Sequence, residues 1–361
     1  MSDVACDNEL ASSRVQNAKF GMNLLPFELL PHILSYLHCS EIAKICQAST
    51  AWMSATASVE EMHAHVFGPN SFVCEPMLRF AINRFDHLKG INIEMQSGMI
   101  IPSSKQYSEC IGAISDLLTA KCPQLRHFQI VNNGAHKLHD VLSNLEPASN
   151  LESLRIIHCY HPHELFHVLE NKSKLISLCI HFKKFFYNAD VESLHAQIGT
   201  LINLQKLELI GPPFRKKLNW DTLFCGMERL RELRCAYIDD DGLKAISDHC
   251  KQLQMFHVTN FHSARLSMSF ILKVLRNCPI QSLRIFYWKG TTKCGVDHIR
   301  EICQASDSLL KLNICLKLWP RTFIGEKRRL MEQAALEASG GRVKLTIQIK
   351  DHGDNATNRS F

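Results

Sequence analysis

Leu204-Gln-Lys-Leu207-Glu-Leu209 places leucine at positions one, four and six of a six-residue phrase. The phrase recurs as Leu125/Phe128/Ile130, Leu151/Leu154/Ile156, Leu175/Leu178/Ile180, Leu230/Leu233/Cys235, Leu253/Phe256/Val258, Ile280/Leu283/Ile285 and Leu309/Leu312/Ile314. From Leu125 to Leu309 the starts lie 26, 24, 29, 26, 23, 27 and 29 residues apart, the spacing of stacked structural repeats. Positions four and six point to one side of a short strand, and an amphipathic stretch then returns the chain to the next strand. One such unit cannot bury its own apolar face, whereas a stack can. The predicted fold class is therefore α/β: a solenoid with parallel strands on the concave side and helices on the convex side. Leu88/Ile91/Ile93 and Val343/Leu345/Ile347 read as weaker outer copies, as end repeats meet a neighbour on one side only.

These units resemble leucine-rich repeats. Ile238-Asp-Asp-Asp-Gly242-Leu243-Lys-Ala-Ile246-Ser-Asp-His-Cys250-Lys-Gln-Leu253 is similar to the cysteine-containing subtype, and Cys122-Pro-Gln-Leu125 and Cys278-Pro-Ile280 carry the same cysteine. Met227, Ser173 or Ser308 stand near that place in other units, so the subtype is imperfectly kept.

The composition, 46% hydrophobic and 21% charged over 361 residues, suits a continuous core. No run of about 18 apolar residues occurs, and the first residues lack the apolar core and basic flank of a signal peptide, so a cytosolic or nuclear location and no membrane partner are expected. Fifteen scattered cysteines then read as small buried hydrophobes rather than disulfide partners.

The second informative stretch is LLPFELLPHILSYLHCSEIAKICQASTAWMSATAS, Leu24 to Ser58. Leu25, Leu29, Leu30, Ile33, Leu34 and Leu37 recur at helical spacing, followed by Ile42, Ile45, Cys46 and Trp52, and Pro26 and Pro31 set the helix start near Glu28. The ordered pattern Leu25-Pro26-x-Glu28-Leu29-Leu30-x-x-Ile33-Leu34-x-x-Leu37, with Trp52 near its end, resembles the F-box, the helical module that docks substrate receptors onto the Skp adaptor of cullin–RING ubiquitin ligases. The family usually closes with a Leu-Trp pair or similar, where this chain has His65-Val66-Phe67. The resemblance implies that Leu25, Pro26, Leu29, Leu30, Ile33, Leu34, Leu37 and Trp52 build the adaptor-binding module. The sequence leaves open which of them face the adaptor. A unit of about forty residues is too small to bury a stable core alone, which fits either docking or a role as a cap on the first repeat.

The resulting organisation is a disordered start (1–22), an F-box (23–67), a helical connector (68–87), the solenoid (88–350) and a disordered tail (351–361). Strand alternation places Gln129, Arg155, Cys179, Glu208, Arg234, His257, Arg284 and Asn313 in one concave column, and a more apolar column including Phe286 beside it. On the rim, Lys183, Lys184 and Phe185, Arg215 with Trp220, Trp288, and Lys317 with Trp319 mix aromatics and cations. Arginines and aromatics concentrate interface energy, so Arg155, Lys183, Lys184, Phe185, Arg215, Arg234, His257, Arg284, Phe286 and Trp288 are the candidate substrate contacts. An acidic or phosphorylated protein substrate would suit them. The competing account is that the aromatics cover the sheet edge and the lysines keep it soluble. Single-stranded nucleic acid also suits such a rim but leaves the N-terminal helices without a role.

His158, Cys159, His161, His163 and His167 have metal-binding residue types without a zinc spacing, and clustering in a repeat loop accounts for them, so no metal or cofactor is expected. Asp239-Asp240-Asp241 precedes Leu243 where acidic residues cap a helix. No glycine-rich phosphate loop or nucleophile elbow is present, and the chain is expected to be a non-catalytic receptor.

Overall fold

A computed structural model describes residues 25–66, 74–95, 104–133, 138–183, 188–211, 219–258, 267–286, 295–317 and 324–350. Their strands are β1 (Glu61–Val66), β2 (Gly90–Met95), β3 (His127–Asn132), β4 (Ser153–Cys159), β5 (Ser177–Phe182), β6 (Lys206–Ile210), β7 (Glu232–Cys235), β8 (Met255–Val258), β9 (Ser282–Phe286), β10 (Lys311–Lys317) and β11 (Lys344–Lys350). They form one parallel sheet whose order follows the chain, with helical segments between successive strands. This is the α/β solenoid of leucine-rich-repeat type that the repeated phrase predicts.

The phrase also fixes the register. Its fourth-position residues stand opposite one another from Phe128 through Leu154, Leu178, Leu207, Leu233, Phe256 and Leu283 to Leu312. The sixth-position residues do the same, and both rows are buried. A slip of one residue would carry this whole apolar set to the concave face, so burial enforces the alignment.

A second ladder ties the repeats together just before each strand. The Glu60 carbonyl accepts from the N–H groups of both Lys89 and Gly90, and the Lys89 carbonyl accepts from Arg126 and His127. The same double acceptance recurs down to Gln281 with Leu310 and Lys311. Side chains reinforce it: Asn150 Nδ2 donates to the Pro123 carbonyl and Asn203 Nδ2 to the Ser173 carbonyl, each at 2.7 Å. These bonds satisfy backbone groups that a stacked coil would otherwise bury without partners.

The sheet starts at Glu61, which corrects the boundary expected at residue 88. Val59, Met62 and Ala64 carry the phrase in weaker residues, and all three are buried. Met62 stands opposite Ile91 and Ala64 opposite Ile93, and helix Cys74–Arg84 connects two rungs rather than two domains. His65 and Val66 therefore belong to a strand, not to a helical module extending to residue 67. The terminal stretches 1–22 and 351–361 lie outside the described residues.

Among the described residues, three α-helices and a short 3-10 helix (Thr56–Ser58) precede the sheet: α1 (Leu29–Ser35), α2 (Cys39–Ala48) and α3 (Thr50–Ala55). His38 makes a parallel bridge to His63 of β1, so the turn between α1 and α2 acts as a vestigial rung. Leu30, Leu34, Ile42, Cys46 and Trp52 join the same apolar core as the repeats. At the other end Arg342 Nη1 donates to the carbonyls of Ser306, Asp307 and Leu309 at 3.0, 2.6 and 2.9 Å, tying the last turn to the preceding repeat. Among the described residues no helix is long and apolar enough to cross a membrane.

Candidate functional site

Helix α1 carries two apolar stripes, and the structure separates them. Leu30, Leu34 and Leu37, spaced i, i+4 and i+7, face inward; Leu30 is 3% and Leu34 0% exposed, and Leu37 is half-buried. Leu29 and Tyr36 face outward, at 46% and 74% exposure, while Ile33 between them is half-buried and packs against the core. Leu25 at 42% and Phe27 at 50% extend this face ahead of the helix, and Pro26 beside them is exposed. The His32 ring meets Tyr36 edge-on at 5.1 Å and braces it. Of the eight residues assigned to adaptor binding, Leu30, Leu34 and Trp52 are therefore interior, because the core of β1 and α3 claims them. Leu25, Phe27, Leu29 and Tyr36 thus form an exposed apolar group at the start of the described chain.

The concave face forms the second surface. Gln129, Arg155, Cys179 and Glu208 face one another in register across β3 to β6, and Arg234, His257, Arg284 and Asn313 continue the row across β7 to β10. Arg155, Arg234, His257 and Arg284 are half-buried. Cys179 and Glu208, at 3% and 5% exposure, lie at the bottom of the row.

Glu208 organises the centre of this row. Its Oε1 accepts a hydrogen bond from His181 Nε2 at 2.7 Å, and Arg234 Nη1 lies 3.8 Å from its Oε2. Burial would raise the Glu208 pKa, but the His181 hydrogen bond and the charges of His181, Arg234 and Arg155 outweigh it and hold the carboxyl below its usual range. Burial, helped by Arg234 and Arg284 and opposed by Glu208, pushes His257 down to about 4. Burial and the Glu208 charge push the Cys179 thiol up to about 12 against Arg155, Lys206 and Arg234. Arg234 Nε is buried without an acceptor among the described residues. Near neutrality the row therefore holds an ionised Glu208 among Arg155 and Arg234, with His257 uncharged.

Of the remaining candidate contacts, Lys183 is exposed, with its ammonium 5.6 Å from the Tyr160 ring centre. Phe286 ends β9. Lys184, Phe185, Arg215 and Trp288 lie outside the described residues. Trp220, read from sequence as part of the rim, is buried instead: it stacks on Phe224 at 6.1 Å and Tyr237 at 6.5 Å and packs on His195 at 5.5 Å. With Phe182, Leu209 and Gly211, the rings of Trp220, Tyr237 and His195 line a crevice no larger than a water molecule or so. Here the aromatic side chains fill the gap between repeats.

Sequence reasoning placed Cys179 and Glu208 in the concave column but missed their grouping with His181, whose donor atoms all lie within 4.8 Å of one another. The signal was present: Cys179 and His181 are two apart on one face of β5, and Glu208 stands directly opposite Cys179.

No family model matches the chain, and no curated protein matches it. Among solved structures, the Rad7 and Elc1 complex in yeast contains a chain similar to this one at 14% identity, with a TM-score of 0.49 and coverage of 99% of this chain and 96% of that one. LegL7, a leucine-rich repeat-containing protein from Legionella pneumophila, is similar at 12% identity, with a TM-score of 0.43 and coverage of 81% of this chain and 91% of that one.

Proposed function

We propose that the chain is a non-catalytic substrate receptor of a cullin–RING ubiquitin ligase, joined to the Skp adaptor through its N-terminal helices and to a protein substrate through its concave face. One observation carries this reading. The outward stripe Leu25, Phe27, Leu29 and Tyr36 is open, while the opposite side of the same helix is fixed in the solenoid core. A pure cap needs only the inner stripe, and a second apolar stripe costs solubility unless another protein covers it. The F-box-like order of residues within 25–52 names the partner that such a stripe would fit.

On the concave side, Arg155, Arg234 and Arg284 favour an acidic segment, and guanidiniums grip carboxylate or phosphate oxygens in pairs. Bond-making chemistry would belong to other subunits, with this chain supplying proximity by raising the effective concentration of a substrate lysine. A cytosolic or nuclear location belongs to the same proposal.

The second reading is an interaction scaffold without ubiquitin output, in which α1 to α3 serve only as a cap. The burial of Leu30 and Leu34 and the His38–His63 bridge favour that capping role. Recovery of the tagged full-length chain from cells separates the two. Co-purification with the Skp adaptor and a cullin supports the receptor; capture of protein partners with neither supports the scaffold.

A further inference from the structure

We propose that Cys179, His181 and Glu208 form a binding site for one divalent cation of borderline softness, Zn²⁺ foremost, at the centre of the concave face. The site lies outside the adaptor surface and does not depend on the receptor reading.

A thiol, an imidazole and a carboxylate are the donor set such an ion prefers, and three protein donors with a fourth position open to solvent is a common zinc arrangement. The three donor atoms lie within 4.8 Å of one another. Around tetrahedral zinc, with bonds of about 2.0–2.3 Å, donors sit roughly 3.3–3.7 Å apart. His181 and Glu208, now 2.7 Å apart, would open by about an ångström or less, and Cys179, within 4.8 Å of both, would close by no more than about that much. Two adjacent strands in fixed register hold all three, so little ordering remains to be done on binding. His181 is half-buried, which leaves an approach from the groove to the two more deeply buried ligands.

Charge works in both directions. Arg155 and Arg234 favour the ionised forms of the two acidic ligands, and they also repel a dication. Thiolate and carboxylate together cancel the charge of the ion, so the loaded centre is neutral. Affinity is therefore weaker than at a structural site of four cysteines. On binding, the Cys179 S–H bond breaks and an S–metal bond forms, releasing one proton. To present the Nε2 lone pair, His181 gives up the proton that it donates to Glu208: a neutral ring takes one up at Nδ1 in exchange and releases none overall. If the ring begins doubly protonated, a second proton leaves.

Cobalt reports thiolate ligation directly. Titrating Co²⁺ into the full-length chain should produce one saturable equivalent of near-ultraviolet thiolate-to-metal absorption with visible bands, both erased by Zn²⁺. Because the chain has fifteen cysteines, the assignment rests on variants. Cys179→Ser should abolish the charge-transfer band, and Glu208→Gln should weaken binding at least tenfold while keeping it. If Cys179→Ser fails to fold by circular dichroism, His181→Gln takes its place, and loss of the visible bands supports the site. No saturable spectrum in the unmodified chain, or an unchanged spectrum in Cys179→Ser or in a folded His181→Gln, overturns the proposal.

Discussion

The Glu208 carboxylate on β6 takes a 2.7 Å hydrogen bond from the His181 imidazole on β5, and only 6% of the Glu208 side chain reaches solvent. A buried carboxylate is stabilising only while its partners compensate its lost hydration. Glu208→Gln keeps the shape and removes the charge, so stability in urea should fall by about 2 kcal/mol, the range of a charge-assisted hydrogen bond. A cycle with Arg234→Met should show positive coupling between the two positions. Additive losses would mean that Arg234, 3.8 Å away, contributes nothing to the pair.

Acid should destabilise the protein in two stages. Burial pushes His195 down to about 4, so between roughly pH 6.5 and 4 the unfolded chain binds a proton that the folded chain does not, and stability falls as pH falls. A shift of that size is worth about 3 kcal/mol for this one residue. His257 acts with the same sign over the same range. Glu208, held below its usual range, adds a later loss as pH drops through its folded value. Melting temperatures from pH 7 to 4 should decline, and His195→Gln should flatten the upper part of that decline. An equally steep profile in the variant would assign the proton uptake elsewhere.

Gly199 sits where two repeats nearly touch. A Cβ there would lie 2.2 Å from the Thr222 carbonyl oxygen, a backbone atom that cannot rotate away. Gly199→Ala should therefore cost about 1–3 kcal/mol, as overpacking does, despite alanine's better helix propensity. A gain in melting temperature would show that the helix containing residue 199 shifts freely.

Arg342 should hold the last rung in place. Replacing it with methionine strips donors from three carbonyls, so the β11 amides should exchange with deuterium at least tenfold faster while β4 to β7 stay unchanged. Uniform acceleration along the sheet would instead mean that the ladder opens as one unit.

The eight strong phrases were legible because leucine-type residues at fixed offsets have one economical use, the inner side of a stacked strand. β1 was harder to see: Val59, Met62 and Ala64 keep the offsets, but none of the three is leucine. The two stripes of α1 could be read from spacing, yet not which of them the core takes, since that depends on the packing of α1 against β1. Trp220 misled for a related reason, as a tryptophan beside lysines looks like a contact residue until a neighbouring repeat is seen to bury it. The Cys179, His181 and Glu208 cluster needed register across two strands 29 residues apart.

The central claim is that the outer stripe of α1 binds a partner while the inner stripe holds the fold. Calorimetric titration of the purified Skp adaptor into the full-length chain, and into the Leu29→Asp plus Tyr36→Asp variant, tests it most directly. The account predicts saturable one-to-one binding to the unmodified chain and at least a hundredfold loss in a variant with an unchanged melting temperature. No binding to the unmodified chain, or equal binding to both, would contradict it.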